Sequence, residues 1–189
     1  MIFQLEVERQ LNLKIYAVRS DRGGEYYSKI DQDEQHYGPF YGFLKDQGII
    51  AQYTTPGSPE QNGVCECHNC TYQKIICSMM SHTDLPKNLW GECLRYSVYI
   101  LNRVPSKSVV EVPHKTWIGK NPSLNHLHVW GCPAEVKLFN PTIIKLEPRI
   151  VSCFFIGFIE RSKGYRFYCP SRPMKIVECA RAHFIEDES

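Results

Sequence analysis

The sequence has no run of about 18 apolar residues, the length a helix needs to cross a bilayer, so no membrane span or membrane partner is expected. It has almost no excess charge: 22 Lys and Arg stand against 20 Asp and Glu, a net charge of +2. That permits a nucleic-acid partner without the strong basic excess that marks most nucleic-acid-binding modules. The opening MIFQLEVERQLNLK carries acids and Arg9 within its first turns, which excludes a secretory signal. Nucleus or cytoplasm is therefore expected and secretion is not, and the nine cysteines are expected as thiols, not disulfides. Internal repeats and low-complexity tracts are also lacking, which excludes repeat arrays.

What is present is ordinary globular composition, 43% hydrophobic and 22% charged over 189 residues. That suffices for one medium domain or a small domain with an appendage. Residues 1–13 read as the tail of a helix, loosely periodic in Ile2, Leu5, Val7 and Leu11. Lys14 to Val18 is a short β-rich run that ends at Arg19-Ser20-Asp21. Asp21 thus falls at a strand's C-terminal end, where α/β sheets place their chemistry. Residues 28–38 are polar and read as loop. Pro39 to Gln47 reads as a short helix closed by Gly48, and Ile49 to Thr54 as the next strand. The turn-rich Pro56-Gly57-Ser58-Pro59 then feeds a long helix to about His82, and a second helix opens at Pro86 and ends near Pro105. Residues 106–128 read as a linker or wrapping segment with Trp117 as an anchor. From Val129 onward the pattern is short β runs: Ala134–Phe139, Ile150–Phe158, Tyr165–Tyr168 and Lys175–Ala180. Trp90 and Trp130 are expected as core anchors beside Trp117.

On a helical wheel Val64, Cys65, His68, Tyr72, Ile75, Ile76 and Met79 share one side, the expected core face. Glu66, Cys67, Cys70, Gln73, Lys74 and Cys77 share the other. Cys65-Glu66-Cys67-His68-Asn69-Cys70 offers four metal-type ligands in six residues. One tetrahedral ion cannot take all four from a helix that splits them between opposite faces, so zinc is not expected. Asp21 and Glu66, from a strand end and a facing helix, make a sensible site for magnesium, or manganese, because hard cations take oxygen ligands.

The strings around these two acids resemble those of copia-type retrotransposon integrases. Val18-Arg19-Ser20-Asp21 with Gly23-Gly24-Glu25-Tyr26 resembles their second-aspartate motif. Pro56, Pro59, Asn62-Gly63-Val64, Glu66, Asn69 and Thr71 resemble their catalytic-glutamate motif. Leu85-Pro86 with Leu89-Trp90-Gly91-Glu92, Tyr99 to Pro105, and His128 to Ala134 continue in the same order. Phe155 to Phe158, Lys163 to Tyr168 and Ala182 to Glu186 resemble the segment after the core. The resemblance covers nearly the whole chain.

It implies an α/β fold: an incomplete ribonuclease H-like integrase core over 1–105, a linker over 106–133 and a small β-rich module over 134–189. It implies DNA integration, with water or a 3′-hydroxyl attacking a phosphodiester beside metal-bound acids. Asp21 and Glu66 match the second and third acids and are the catalytic and metal-binding candidates. Asn62, Gly63 and Lys74 are the DNA-binding candidates. DNA is the implied partner, and a homo-oligomer is expected as in integrases.

The departures from that pattern carry as much information. The family's first aspartate lies on a strand well upstream of the Asp21 string, and only 20 residues precede Asp21. The first acid, half of the sheet and the amino-terminal zinc module are therefore expected to be missing, and the chain to be inactive alone. Family members also carry basic residues at the positions of Cys67, His68 and Cys70, and often at Cys77 and His183. An arginine codon of the CGN type becomes Cys or His by one transition. The hypothesis that the cysteines mark an eroded basic stripe fails if their codons are not one transition from CGN. The alternatives are a non-catalytic module, binding nucleic acid or protein through Lys74, Arg103, Lys163 and Arg166, or an inert degenerate fragment.

Overall fold

The computed structural model describes residues 2–23, 26, 30, 31, 34, 35, 38–105, 111–137 and 150–186. In chain order, α1 (Ile2–Leu11) leads to β1 (Ala17–Ser20), the two-residue strands β2 (Ile30–Asp31) and β3 (Glu34–Gln35), α2 (Pro39–Asp46) and β4 (Ile50–Tyr53). A 3-10 turn, Pro59–Asn62, runs straight into α3 (Gly63–Ser81). A second 3-10 turn, Lys87–Leu89, opens α4 (Trp90–Leu101), which α5 (Pro113–Ile118) follows. The strands β5 (Pro133–Lys137), β6 (Ile150–Phe158), β7 (Tyr165–Tyr168), β8 (Ile176–Cys179) and β9 (Ala182–Phe184) complete the order. Contacts divide the chain into two units, Met1–Cys70 and Thr71–Ser189, with the division inside α3.

In the first unit β1 and β4 pair in parallel, with Ala17 opposite Ile50 and Ser20 opposite Tyr53. A parallel pair needs a crossover, and α2 lies within it. Pro39 begins α2, since a missing N–H costs nothing in a helix's first turn. Gly48, at φ +67°, follows its C-cap, where a left-handed residue is needed and glycine adopts it without a Cβ penalty. Leu44 and Ile49 are the unit's buried apolar residues among those described. Residues 28–38 depart from the loop expectation, because β2 and β3 pair antiparallel within them. Two residues each is too short for a periodic signal. In α1 the periodic residues Ile2, Leu5 and Leu11 are exposed.

The second unit is organised around a five-stranded antiparallel sheet in the order β8-β7-β6-β5-β9. Its two edges, β8 and β9, are consecutive in the chain and joined by Ala180-Arg181 alone. The sheet must therefore curl so that its edges approach, as small closed sheets do. The Cys179 thiol of β8, donating to the Lys137 carbonyl at 3.4 Å, links one edge to the end of β5. Along β5, Ala134 and Val136 point inward while Pro133, Glu135 and Lys137 point outward, the period of two that a half-buried strand shows.

The core joins Leu85, Leu89, Cys93 and Tyr96 to Trp130, Phe155, Ile156 and Phe167 of the sheet side. Fully burying a side chain such as Phe155 contributes roughly 1.5–3 kcal/mol. A bulge interrupts β6 between Phe155 and Gly157. Its freed carbonyl is used, for Trp130 Nε1 donates to Ile156 O at 3.1 Å.

The contact division falls inside α3, and α4 lays Cys93 and Tyr96 into the core of the sheet. Three expectations need correction here. Of the three tryptophans, only Trp130 is buried; Trp90 and Trp117 are exposed. The core face of α3 holds for Tyr72, Ile75, Ile76 and Met79, but Val64, Cys65 and His68 are exposed. The wheel fixes which residues share a face, not how far along the helix a neighbour covers it. Finally, the structure joins Cys153 and Cys169 in a disulfide, with Cα atoms 4.4 Å apart. They extend the β6–β7 register past Phe154–Tyr168, so pairing of the two strands brings the sulfurs together. That long-range register is not readable from cysteine count or compartment.

Candidate functional site

Asp21 and Glu66 line one concavity of about 440 Å³, with Arg22, Thr54, Thr55, Pro56, Gly57, Ser58 and Asn62. The backbone explains the meeting. Parallel pairing sends the C-terminal ends of β1 and β4 to the same edge, and Thr54 N donating to Ser20 O at 3.1 Å extends the ladder there. Asp21 leaves that edge from one strand and Thr54 from the other. Asp21 is held in a tight turn, its Oδ1 accepting the Gly23 amide at 3.0 Å. A Cβ at Gly23 would lie 3.0 Å from that oxygen, so a side chain there would crowd the carboxylate.

The loop from Thr54 to Asn62 is clipped by Gln61. Its Oε1 accepts the Thr55 amide at 3.1 Å and its Nε2 donates to Thr55 Oγ1 at 3.3 Å. Gly57, at φ +78°, makes the turn that glycine tolerates best. This clip delivers the chain into α3, whose first turn carries Glu66. A carboxylate is favoured there by the helix dipole. Glu66 is exposed.

Of the other sequence-chosen residues, Asn62 lines the concavity, while Gly63 sits beside it as the first residue of α3, its N–H bonded to Glu60 O. Lys74 does not line it. It is exposed on α3 and belongs to the second unit, whereas Glu66 belongs to the first. Sequence reading missed Arg22, because position 22 reads as variable in the string. Its Nε donates to Thr54 O at 3.2 Å, which ties the two strand ends together and sets a cation beside the acids. A basic residue directly after a strand-end acid was the available signal. Arg166, expected as a free DNA contact, is instead engaged: Glu92 lies 3.1 Å and Glu178 3.7 Å from it.

Among the described residues no group of three or more His, Cys, Asp or Glu is placed to share a metal ion. Cys65, Cys67, Cys70 and Cys77 are exposed along α3, within an unbroken helix.

Comparison with known proteins bears on both units. Residues 132–189, which contain the curled sheet, match the family described as the retroviral polymerase SH3-like domain. The match takes in β5 to β9 of the second unit and leaves α4 and α5 outside it. Over 187 residues the chain is 34% identical to the retrovirus-related Pol polyprotein from transposon TNT 1-94 of Nicotiana tabacum, covering 98% of this chain and 13% of the relative. It is 28% identical over 166 residues to the corresponding polyprotein from transposon RE2 of Arabidopsis thaliana, covering 87% of this chain and 11% of that protein. It is 26% identical over 164 residues to that from transposon RE1 of the same plant, covering 86% and 10%. The chain is a segment of the copia-type, retrovirus-related Pol polyprotein family, and spans about an eighth or less of the length of these relatives. A cryoEM structure of the simian T-cell lymphotropic virus intasome in complex with PP2A regulatory subunit B56 gamma is similar at a TM-score of 0.42 and 15% identity, over 96% of this chain and 59% of that chain. A likeness that slight carries no argument about fold or function.

Proposed function

We propose that the chain is an integrase segment: part of a ribonuclease H-like core followed by the SH3-like module, serving DNA integration by metal-dependent strand transfer. The observation that carries this reading is the concavity shared by Asp21 and Glu66 at the C-terminal edge of parallel strands. The relation to Pol polyproteins supports it.

The donor set suits magnesium or manganese. Among the described residues the concavity offers two carboxylates with hydroxyl and amide oxygens, and no sulfur or imidazole, as hard cations prefer. A divalent ion bound there would stabilise charge developing on the phosphate oxygens during in-line displacement. Asp21 and Glu66 hold that ion in this reading. Arg22, fixed on Thr54, sets a guanidinium charge beside the two carboxylates, where a phosphate would be drawn. Asn62 and Gly63 meet the DNA backbone where α3 begins, and Lys74 meets it further along the exposed side.

Two acids are fewer than the three that the integrase reading requires. The chain alone is therefore proposed to join no DNA, in magnesium or in manganese. A strand-transfer assay that yields joined product from this chain alone would overturn that. DNA binding is expected to be weak and salt-dependent. Lys74→Ala is expected to reduce the slope of log K against log salt by about 0.9, one phosphate contact; an unchanged slope removes Lys74 from the interface. In a second reading the chain is a non-catalytic binding module, favoured by the core that α4 and the curled sheet build within the second unit.

A further inference from the structure

A groove of about 550 Å³ lies between α4 and the end of β6, remote in sequence from the acidic concavity. We propose that it binds a short extended peptide, apolar at its centre, acidic at one end and basic at the other. This inference concerns a different site and stands independently of the integrase reading.

The floor is apolar, from Leu94, Val98 and Tyr99 of α4 and Phe158 of β6. Three of these are carbon-only faces, and a largely apolar wall with few convergent polar groups is the usual form of a binding cleft. Charge is confined to the ends. At the C-terminal end of α4 stands Arg103. Its guanidinium carbon lies over the Tyr99 ring, 3.5 Å from the centroid, and its NH1 donates to Tyr99 O at 3.2 Å. Among the described residues no carboxylate is within ion-pair distance of it. The cation–π contact and that one bond hold the guanidinium in place while leaving other N–H donors for a ligand. A planar fork held in this way matches a carboxylate in two-point contact.

The opposite end has the opposite character. Arg95 is already occupied there, 3.5 Å from Glu92 and 3.8 Å from Glu160. Glu92 is also shared with Arg166, but Glu160 is exposed and has Arg95 as its only ion-pair partner among the described residues. A ligand cation can therefore join Glu160.

Length and charge select the occupant. From Glu92 to Arg103 is eleven residues of helical spacing, about 16 Å, the reach of roughly five extended residues. Among the described residues two acids and two arginines line the groove, and their formal charges sum to zero. A nucleic-acid strand, negative at every step, meets Arg103 at one end and carboxylates at the other. A peptide with opposite charges at its ends is complemented at both.

The test is fluorescence anisotropy with fluorescein-labelled Lys-Ala-Leu-Phe-Glu amide and the intact chain. Saturable binding is expected with a Kd below about 1 mM. Arg103→Gln is expected to weaken it about tenfold or more, because a charged hydrogen-bond partner is lost. Arg103→Glu is expected to abolish binding of that peptide and to bind its Glu-to-Lys counterpart instead. Thermal melts check that both variants remain folded. Absence of saturation with the first peptide overturns the proposal, and so does equal binding by the Arg103 variants. Tighter binding of a ten-residue deoxythymidine strand, lost in Arg103→Gln, overturns it in favour of a nucleic-acid subsite.

Discussion

Glu186 Oε1 lies 3.0 Å from His128 Nδ1 and 2.9 Å from the Val129 amide nitrogen. One carboxylate oxygen thereby ties the segment ahead of β5 to the residues after β9. The His128 ring stacks on Phe184 at 3.4 Å between centroids, so the tie is both polar and aromatic.

Glu186→Ala leaves the Val129 amide and the imidazole without their acceptor. It is expected to lower stability by about 1–2 kcal/mol, read as an earlier urea midpoint. Glu186→Gln keeps an acceptor and is expected to lose less. An unchanged midpoint in the alanine variant contradicts this assignment.

Two buried thiols make stability fall in alkali. Burial, then the nearby Cys77, pushes Cys93 up to about 11. Burial, then Glu186, pushes Cys132 up to about 12. The ordinary thiol value is 9.0. With folded values raised, their contribution is fully present below pH 9 and is lost as pH rises through about 11 for Cys93 and about 12 for Cys132. Unfolding free energies from urea melts at pH 8 and pH 10 are expected to differ by on the order of 1 kcal/mol per thiol, more stable at pH 8. At pH 8 a thiol reagent is expected to modify the exposed Cys65, Cys67, Cys70 and Cys77 and to spare Cys93 and Cys132 until urea unfolds the chain. Equal reactivity of all free thiols contradicts their burial.

The Cys153–Cys169 bridge closes a loop across a separation of 16 residues. Cys153→Ser with Cys169→Ser is expected to cost about 2–3 kcal/mol. Reduction alone is expected to shift the melting temperature of the natural chain in the same direction. Indifference to a reductant contradicts a formed bridge.

Gly131 has φ +83°, and a Cβ there would lie 2.3 Å from Thr83 Cγ2. Gly131→Ala is expected to cost about 1–3 kcal/mol. Adding Thr83→Ala is expected to restore part of the loss, because it removes the clash but not the backbone strain. Additive costs in the double variant contradict the contact.

These particulars show which features the sequence discloses. Periodicity and punctuation found β4, α2, β6 and β7 nearly to the residue and α4 with wider bounds, Pro86 to Pro105 against Trp90–Leu101, since Pro39, Gly48 and alternating apolar runs are local signals. Local signals also placed Asp21 at a strand end and Glu66 in a helix's first turns. The sequence did not disclose what depends on distant pairing. The β6–β7 register sets Cys153 beside Cys169, Glu178 and Glu92 capture Arg166, and α4 joins the sheet's core and not the unit before it. Likewise Arg22 becomes legible as a site residue only when β4 lies beside β1 and presents the Thr54 carbonyl.

The central claim is that Asp21 and Glu66 form one divalent-cation site. Manganese titration followed by electron paramagnetic resonance tests it most directly. The natural chain is expected to bind one ion weakly, with a Kd on the order of 1 mM. Asp21→Asn and Glu66→Gln are each expected to abolish that binding while circular dichroism stays unchanged. Binding that survives both substitutions, or no binding by the natural chain, would contradict the account.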